Sequence, residues 1–168
     1  MDLNVRSSVW QQFGAAIDML DDSLLACPDE LWSNRSENPV FWYIAYHTLF
    51  WLDLYLSGSA EGFAPPAQFT LDELDPNAVL PDQPYSKDDL HAYLVHCRQK
   101  CQATIEGLSD DQATRPYRFR WGDMSFFELL LYTMRHVQEH GGQLSLILGQ
   151  KTGWEARWVA RARDEEGI

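Results

Sequence analysis

The sequence predicts an all-α protein, a four-helix bundle whose helices are joined through one long crossover loop. Three observations carry this. Apolar residues recur at three- and four-residue spacing over four long stretches. N-cap residues and Gly or Pro stops bracket those stretches. A proline-rich segment, residues 58–85, separates the second stretch from the third, long enough to carry the chain along a whole bundle. No strand-like alternation rises above these patterns.

The first long helix is placed at residues 3–26. Val9, Phe13, Ile17, Leu20 and Leu24 form its apolar stripe. Pro28 stops it, because proline cannot continue the hydrogen-bond ladder. A short helical turn is expected at 29–32. The second long helix is expected to open with Asn38 as N-cap and Pro39 at its first position, where a missing N–H costs nothing. Residues 40–56 are apolar on almost every face, so this helix should be central, and Ser57-Gly58 ends it.

The third long helix opens at Ser86-Lys87-Asp88-Asp89, with acids in its first turn, and Gly107 lies near its end. Leu90, Tyr93, Leu94, Cys97, Cys101 and Ile105 mark its core face. Ser109 to Gln112 fits a capping box and predicts a short helix. Ser125 and Glu128 repeat that pattern at the start of the fourth long helix, which is expected to end near Gly149. The remainder is expected to form a short amphipathic helix against the body, with fraying from Arg163 onward. Residues 1–163 are read as one domain and 164–168 as a frayed tail.

The formal net charge is −12. Such a surface repels phosphate backbones, so no nucleic-acid partner is expected. The acids cluster in loops and helix starts, Asp72, Glu73 and Asp75 among them, and are read as solvating or capping groups. Three cysteines, Cys27, Cys97 and Cys101, do not resemble a disulfide framework and suit a reducing cytoplasm. Cys97 and Cys101 share an apolar helix face and read as core packing rather than thiolate ligands. No signal peptide is visible, and the longest apolar run is too short to span a bilayer.

The chemistry concentrates in histidines. His136 and His140 stand at i and i+4, roughly 40° apart around the helix axis, so both rings can reach one ion. Gln143 falls between them and is placed to bond a metal-bound water or a substrate, which makes it the candidate catalytic residue. His47, in the middle of the apolar second helix, is the candidate third ligand, since an imidazole facing a bundle core needs a partner. Three protein ligands leave a coordination position open, as a catalytic site requires. His91 and His96 lie five apart on nearly opposite faces and read as surface or boundary residues. The string HVQEH also fits the H-x-x-E-H signature of inverted zinc peptidases, with Glu139 as base. Only 28 residues follow His140, and no sheet is foreseen, so the bundle reading is preferred.

At these residues the sequence resembles the DinB/YfiT-like metal-dependent enzymes. The resemblance rests on His47 within "FWYIAYHTLFWLDLYL" and on the His-x3-His-x2-Gln pattern within "MSFFELLLYTMRHVQEHGGQLSLILGQKTG". The turn "WGDMS" and the long loop after the second helix fit as well. The resemblance implies a crossover bundle topology and one divalent ion, zinc or nickel, on His47, His136 and His140. It also implies relatives that are thiol-dependent transferases and isomerases using small cytoplasmic thiols, several of them dimers.

The expectation is therefore a cytoplasmic, metal-dependent enzyme of thiol S-transferase or hydrolase type. Its partner would be a small-molecule substrate such as a low-molecular-weight thiol, with no membrane contact. A homodimer is an expectation too, with Trp154 and Trp158 serving an interface or capping the core. Trp42, Trp51 and Phe127 are candidate pocket walls or plain core. Arg115, Arg118 and Arg120 are candidate anion receivers or a solvated basic loop. Two other readings stay open, a non-catalytic metal-binding or stress-response bundle and a structural or interaction bundle without metal.

Overall fold

A computed structural model describes residues 2–34, 36, 39–75, 81, 83–119 and 122–164. The long helices are α1 (Leu3–Ala26), α3 (Phe41–Ser57), α4 (Lys87–Glu106) and α6 (Phe126–Thr152). Two short helices, α2 (Asp29–Trp32) and α5 (Asp110–Thr114), lie between them. A 3-10 turn spans Asp72–Leu74.

Helix α1 packs on α4 and α6, and α3 packs on the same two, so α1 and α3 occupy opposite corners. Side-chain partners give the directions. Arg6 bonds the Glu106 carbonyl and Asp18 bonds Arg98, so α1 and α4 run antiparallel. Leu20 lies against Gly141 and Ser23 meets Ser145, so α1 and α6 run parallel. Leu49 meets Cys97 and Ser57 meets Lys100, so α3 and α4 are also parallel. The order is up, down, down, up. Two consecutive parallel helices require the chain to return the length of the bundle between Ser57 and Lys87.

The N-termini follow the predicted chemistry. The hydroxyls of Ser86, Ser109 and Ser125 accept from the backbone N–H three residues on, and Ser109 with Gln112 completes the reciprocal box. The stripes predicted from spacing form the core. Phe13, Ile17, Leu20, Leu49, Leu90, Leu94, Val137, Leu144 and Leu148 are all fully buried. Cys97 and Cys101 are among them as free thiols, as is Cys27. Among the described residues, no helix is long and apolar enough to cross a membrane.

Four expectations need correction. Helix α3 starts at Phe41 with Val40 as N-cap, so Pro39 precedes the helix instead of opening it; Asn38 lies outside the described residues. Helix α6 continues past Gly149 to Thr152, because Gly153 (φ +74°) takes the left-handed C-cap. A β-hairpin that the sequence does not announce, β1 (Pro116–Phe119) and β2 (Gly122–Ser125), leads into α6. Its strands are four residues each, too short and too mixed in polarity for alternation to register.

The C-terminal segment is the fourth correction. Its described residues, 153–164, form no helix but run as a strap beside α1. Gln11 accepts from the Ala162 N–H through its carbonyl, and Gln12 donates to the Ala160 carbonyl. Arg163, expected to fray, is clamped. Its backbone N–H donates to Asp18 at 2.7 Å and its guanidinium grips Asp22 at 2.6 and 2.8 Å. Gly14 lets the strap come this close, since a Cβ there would sit 2.5 Å from that of Ala162. Trp154 packs against the core, whereas Trp158 is 75% exposed.

Candidate metal centre

The seam between α3 and α6 brings the three predicted ligands together. The 3.6-residue period that buries Val137, Leu144 and Leu148 leaves His136 and His140 at the edge of the apolar stripe, aimed across at α3. The Nε2 atoms of His136 and His47 are 3.3 Å apart, and those of His136 and His140 are 3.1 Å apart. Among the described residues these three are the group of His, Cys, Asp or Glu side chains that could share a metal. The site opens at the side of the bundle and does not face its core. The His47 side chain is 30% exposed, which corrects the expectation that this ring is central.

The structure adds a residue that sequence reasoning missed. Glu73, in the 3-10 turn of the crossover, has a side chain only 5% exposed. Its Oε2 lies 2.6 Å from His47 Nδ1 and accepts from Trp51 Nε1 at 2.8 Å. The Tyr43 hydroxyl donates to the same carboxylate. Burial pulls the Glu73 pKa upward, but the bonds from His47, Tyr43 and Trp51 outweigh it and hold the group below its usual range. Asp72 is half-buried and Asp75 is exposed, unlike the Glu73 side chain between them. One signal called for an acceptor, without identifying Glu73. Tyr43, His47 and Trp51 recur at i, i+4 and i+8, a row of ring-borne donors on an otherwise apolar helix, and such a row needs an acceptor.

These contacts fix which ring nitrogens carry protons. A carboxylate only accepts, so His47 carries its proton on Nδ1 and presents the Nε2 lone pair. His140 Nδ1 donates to Gln143 Oε1 at 2.8 Å, so its Nε2 lone pair is presented too. Both lone pairs meet His136 Nε2, and one N–H could satisfy only one of them. A cation satisfies all three. Ligand nitrogens about 2.0–2.1 Å from one ion stand about 3.3–3.4 Å apart in a tetrahedral shell and about 2.9 Å apart on one octahedral face. The observed 3.1 and 3.3 Å fall between these, so the residues present fit a divalent transition metal. His136 Nδ1 is buried with no hydrogen-bond partner among the described residues, so no bond on that nitrogen sets its ring.

Electrostatics favours the neutral rings that ligation needs. Burial first, then the neighbouring His140 and His47, push the His136 pKa down to about 3. Burial likewise lowers His140, against the opposing bond to Gln143. The surroundings are aromatic. Trp51 and Tyr55 meet at a tilt with ring centroids 5.4 Å apart along α3, Tyr55 meets Tyr132 edge-on, and its ring lies 6.5 Å from that of His136.

The other candidates fall outside the cluster. Trp42 is buried in the core against Tyr43 and Tyr85, and Phe127 sits half-buried at the core's edge. Glu139 is exposed and contributes no ligand atom. His91 faces Asp21 at 3.4 Å and His96 is half-exposed near Asp53. Arg118 is solvated and pairs with Asp123 across the hairpin, Arg115 is exposed, and Arg120 lies outside the described residues.

The family model of the DinB superfamily matches residues 8–144 of this chain. That span contains α3, the part of α6 that carries His136 and His140, the crossover and Gln143. No curated protein and no solved structure matches the chain.

Proposed function

The chain belongs to the DinB superfamily, and from that premise we propose that it is a metal-dependent enzyme of thiol S-transferase or hydrolase type. It holds one zinc or nickel ion on His47, His136 and His140. The observation that carries the reading is the convergence of three Nε2 atoms, two with lone pairs aimed inward by Glu73 and Gln143. When bound, the ion supplies Lewis acidity, which lowers the pKa of a thiol or water to near neutrality.

The chain's own residues supply position and access. Both helices present their ligands in mid-length, where backbone motion is smallest. The half-open seam admits a small molecule, and the rings of Trp51 and Tyr55 offer it an apolar wall. Gln143 is exposed beside His140, where its amide nitrogen can donate to the substrate while its oxygen holds the ring. The reaction class is attack by a small cytoplasmic thiol, or by water, on an electrophilic carbon. The new C–S or C–O bond replaces the bond to a leaving group, which departs with the electron pair. The nucleophile's proton is released to solvent or to the leaving group.

The test is turnover by metal-stripped protein reloaded with zinc or nickel, using low-molecular-weight thiols against alkyl and acyl electrophiles. The proposal expects turnover that appears with metal and is lost in His136→Ala. Stoichiometric metal with no metal-dependent turnover across that panel would favour a non-catalytic metal-binding bundle.

A further inference from the structure

The crossover segment reaches the metal centre through one side chain, Glu73. Three contacts hold the segment there. The Tyr46 hydroxyl donates to the Thr70 carbonyl at 2.8 Å, and the Thr70 N–H donates to the Tyr85 hydroxyl at 3.2 Å. Phe69 is buried and stacks on Tyr93 at 4.5 Å. The 3-10 turn then delivers the Glu73 carboxylate to Tyr43, His47 and Trp51. Glu73 pairs with all three groups, so the carboxylate is where loop and site meet.

We propose that Glu73 is the positioning residue of the metal centre, and that docking of residues 69–74 and metal occupancy are therefore one coupled equilibrium. The inference rests on the three-histidine metal reading. Its physical basis is that a carboxylate on the Nδ1–H of a ligating histidine fixes ring orientation and tautomer and raises the basicity of Nε2. With the segment undocked, His47 loses that acceptor and its ring is free to turn or to carry its proton on Nε2. Metal affinity then falls. By linkage, metal that prefers the docked form must strengthen docking by the same factor.

The arrangement also separates Glu73 from a merely structural loop anchor. An anchor would be served by Tyr46, Phe69 and Tyr85 alone, none of which is a metal ligand. Glu73 puts the pairing acceptor for a ligand on the crossover segment, and not on α4 or α6. Substrate or partner contacts on the crossover would thereby reach the metal without touching a ligand.

The experiment uses the full-length chain in wild-type, Glu73→Ala and Glu73→Gln forms, each checked for helix content by circular dichroism. Zinc affinity is measured by competition with a chromophoric chelator, and amide exchange over residues 58–75 is followed with and without zinc. The expected result is a loss of about 10–100-fold in zinc affinity for Glu73→Ala. Glu73→Gln, whose amide oxygen still accepts from Nδ1–H, should recover a large part of that loss. Zinc should slow exchange over 69–74 in the wild type and not in Glu73→Ala. In the metal-free wild type, 15N NMR should show the His47 proton on Nδ1, and in Glu73→Ala a mixture of tautomers. Equal zinc affinity in the wild type and Glu73→Ala, or zinc binding that leaves exchange over 69–74 unchanged, overturns the inference while leaving the metal site standing. A wild type that binds no zinc but keeps the Nδ1 proton sinks the metal reading, and the coupling with it.

Discussion

Replacing Asp18 by alanine removes the acceptor on which α1, α4 and the C-terminal strap converge. Asp18 is 2% exposed and Arg98 is 3% exposed. One carboxylate oxygen takes Arg98 Nε at 2.8 Å and the other takes the Arg163 N–H at 2.7 Å. Without Asp18 the Arg98 guanidinium stays buried against Trp10, with the Arg163 carbonyl as its remaining hydrogen-bond acceptor among the described residues. A buried charge stripped of its partner costs about 3–5 kcal/mol, far more than an exposed ion pair contributes. For a chain of this size that lowers the melting temperature by about 6–20 °C. Thermal melts followed by circular dichroism would measure it. The paired change Asp18→Leu with Arg98→Met removes both charges and should recover most of the loss, because apolar replacement of a buried pair is often near neutral. If Asp18→Ala cost less than about 1 kcal/mol, water must reach Arg98, and the strap would not seal this seam as the structure shows.

Three further predictions follow from the same reasoning. The folded His136 pKa lies below its unfolded value, so the unfolded chain binds the extra proton; the stability of metal-free protein should be full above about pH 6.5 and decline as pH falls toward 3, read as urea midpoints across that window. Gly58 caps α3 at φ +72°, and a Cβ there would meet the Tyr117 ring at 2.4 Å. Gly58→Ala should cost about 1–3 kcal/mol in chemical denaturation and loosen the hairpin against α3; a neutral effect would mean that the hairpin is not seated there. Burial pushes the thiols of Cys97 and Cys101 well up and that of Cys27 up to about 12, so native protein should resist a thiol-specific dye and denatured protein should react at all three sites.

The helices were legible because their signals are local. A stripe such as Phe13-Ile17-Leu20-Leu24 and a cap such as Ser125 need no knowledge of the rest of the chain. The His136–His140 pair was legible for the same reason, being one helical turn apart. His47 was reachable as an anomaly in an apolar helix, although its half-exposure was not, since the face turned to solvent depends on where the crossover lies. Glu73 was hidden because 26 residues separate it from His47, and a carboxylate among loop acids looks like solvation. The strap was hidden likewise. Arg163 reads as a terminal charge until α1 is seen to place Asp18 and Asp22 beside it. What sequence periodicity misses here is the contact made by an irregular segment on a distant helix, and both such contacts bear on stability or on the site.

The central claim is one divalent ion per chain on His47, His136 and His140. Elemental analysis of purified wild type beside His136→Ala/His140→Ala, with circular dichroism to confirm that both fold, tests it most directly. The account predicts about one equivalent of zinc or nickel in the wild type, as the three convergent nitrogens require, and none in the folded double variant. Equal metal in both proteins, or none in the wild type after reconstitution with either ion, would contradict it.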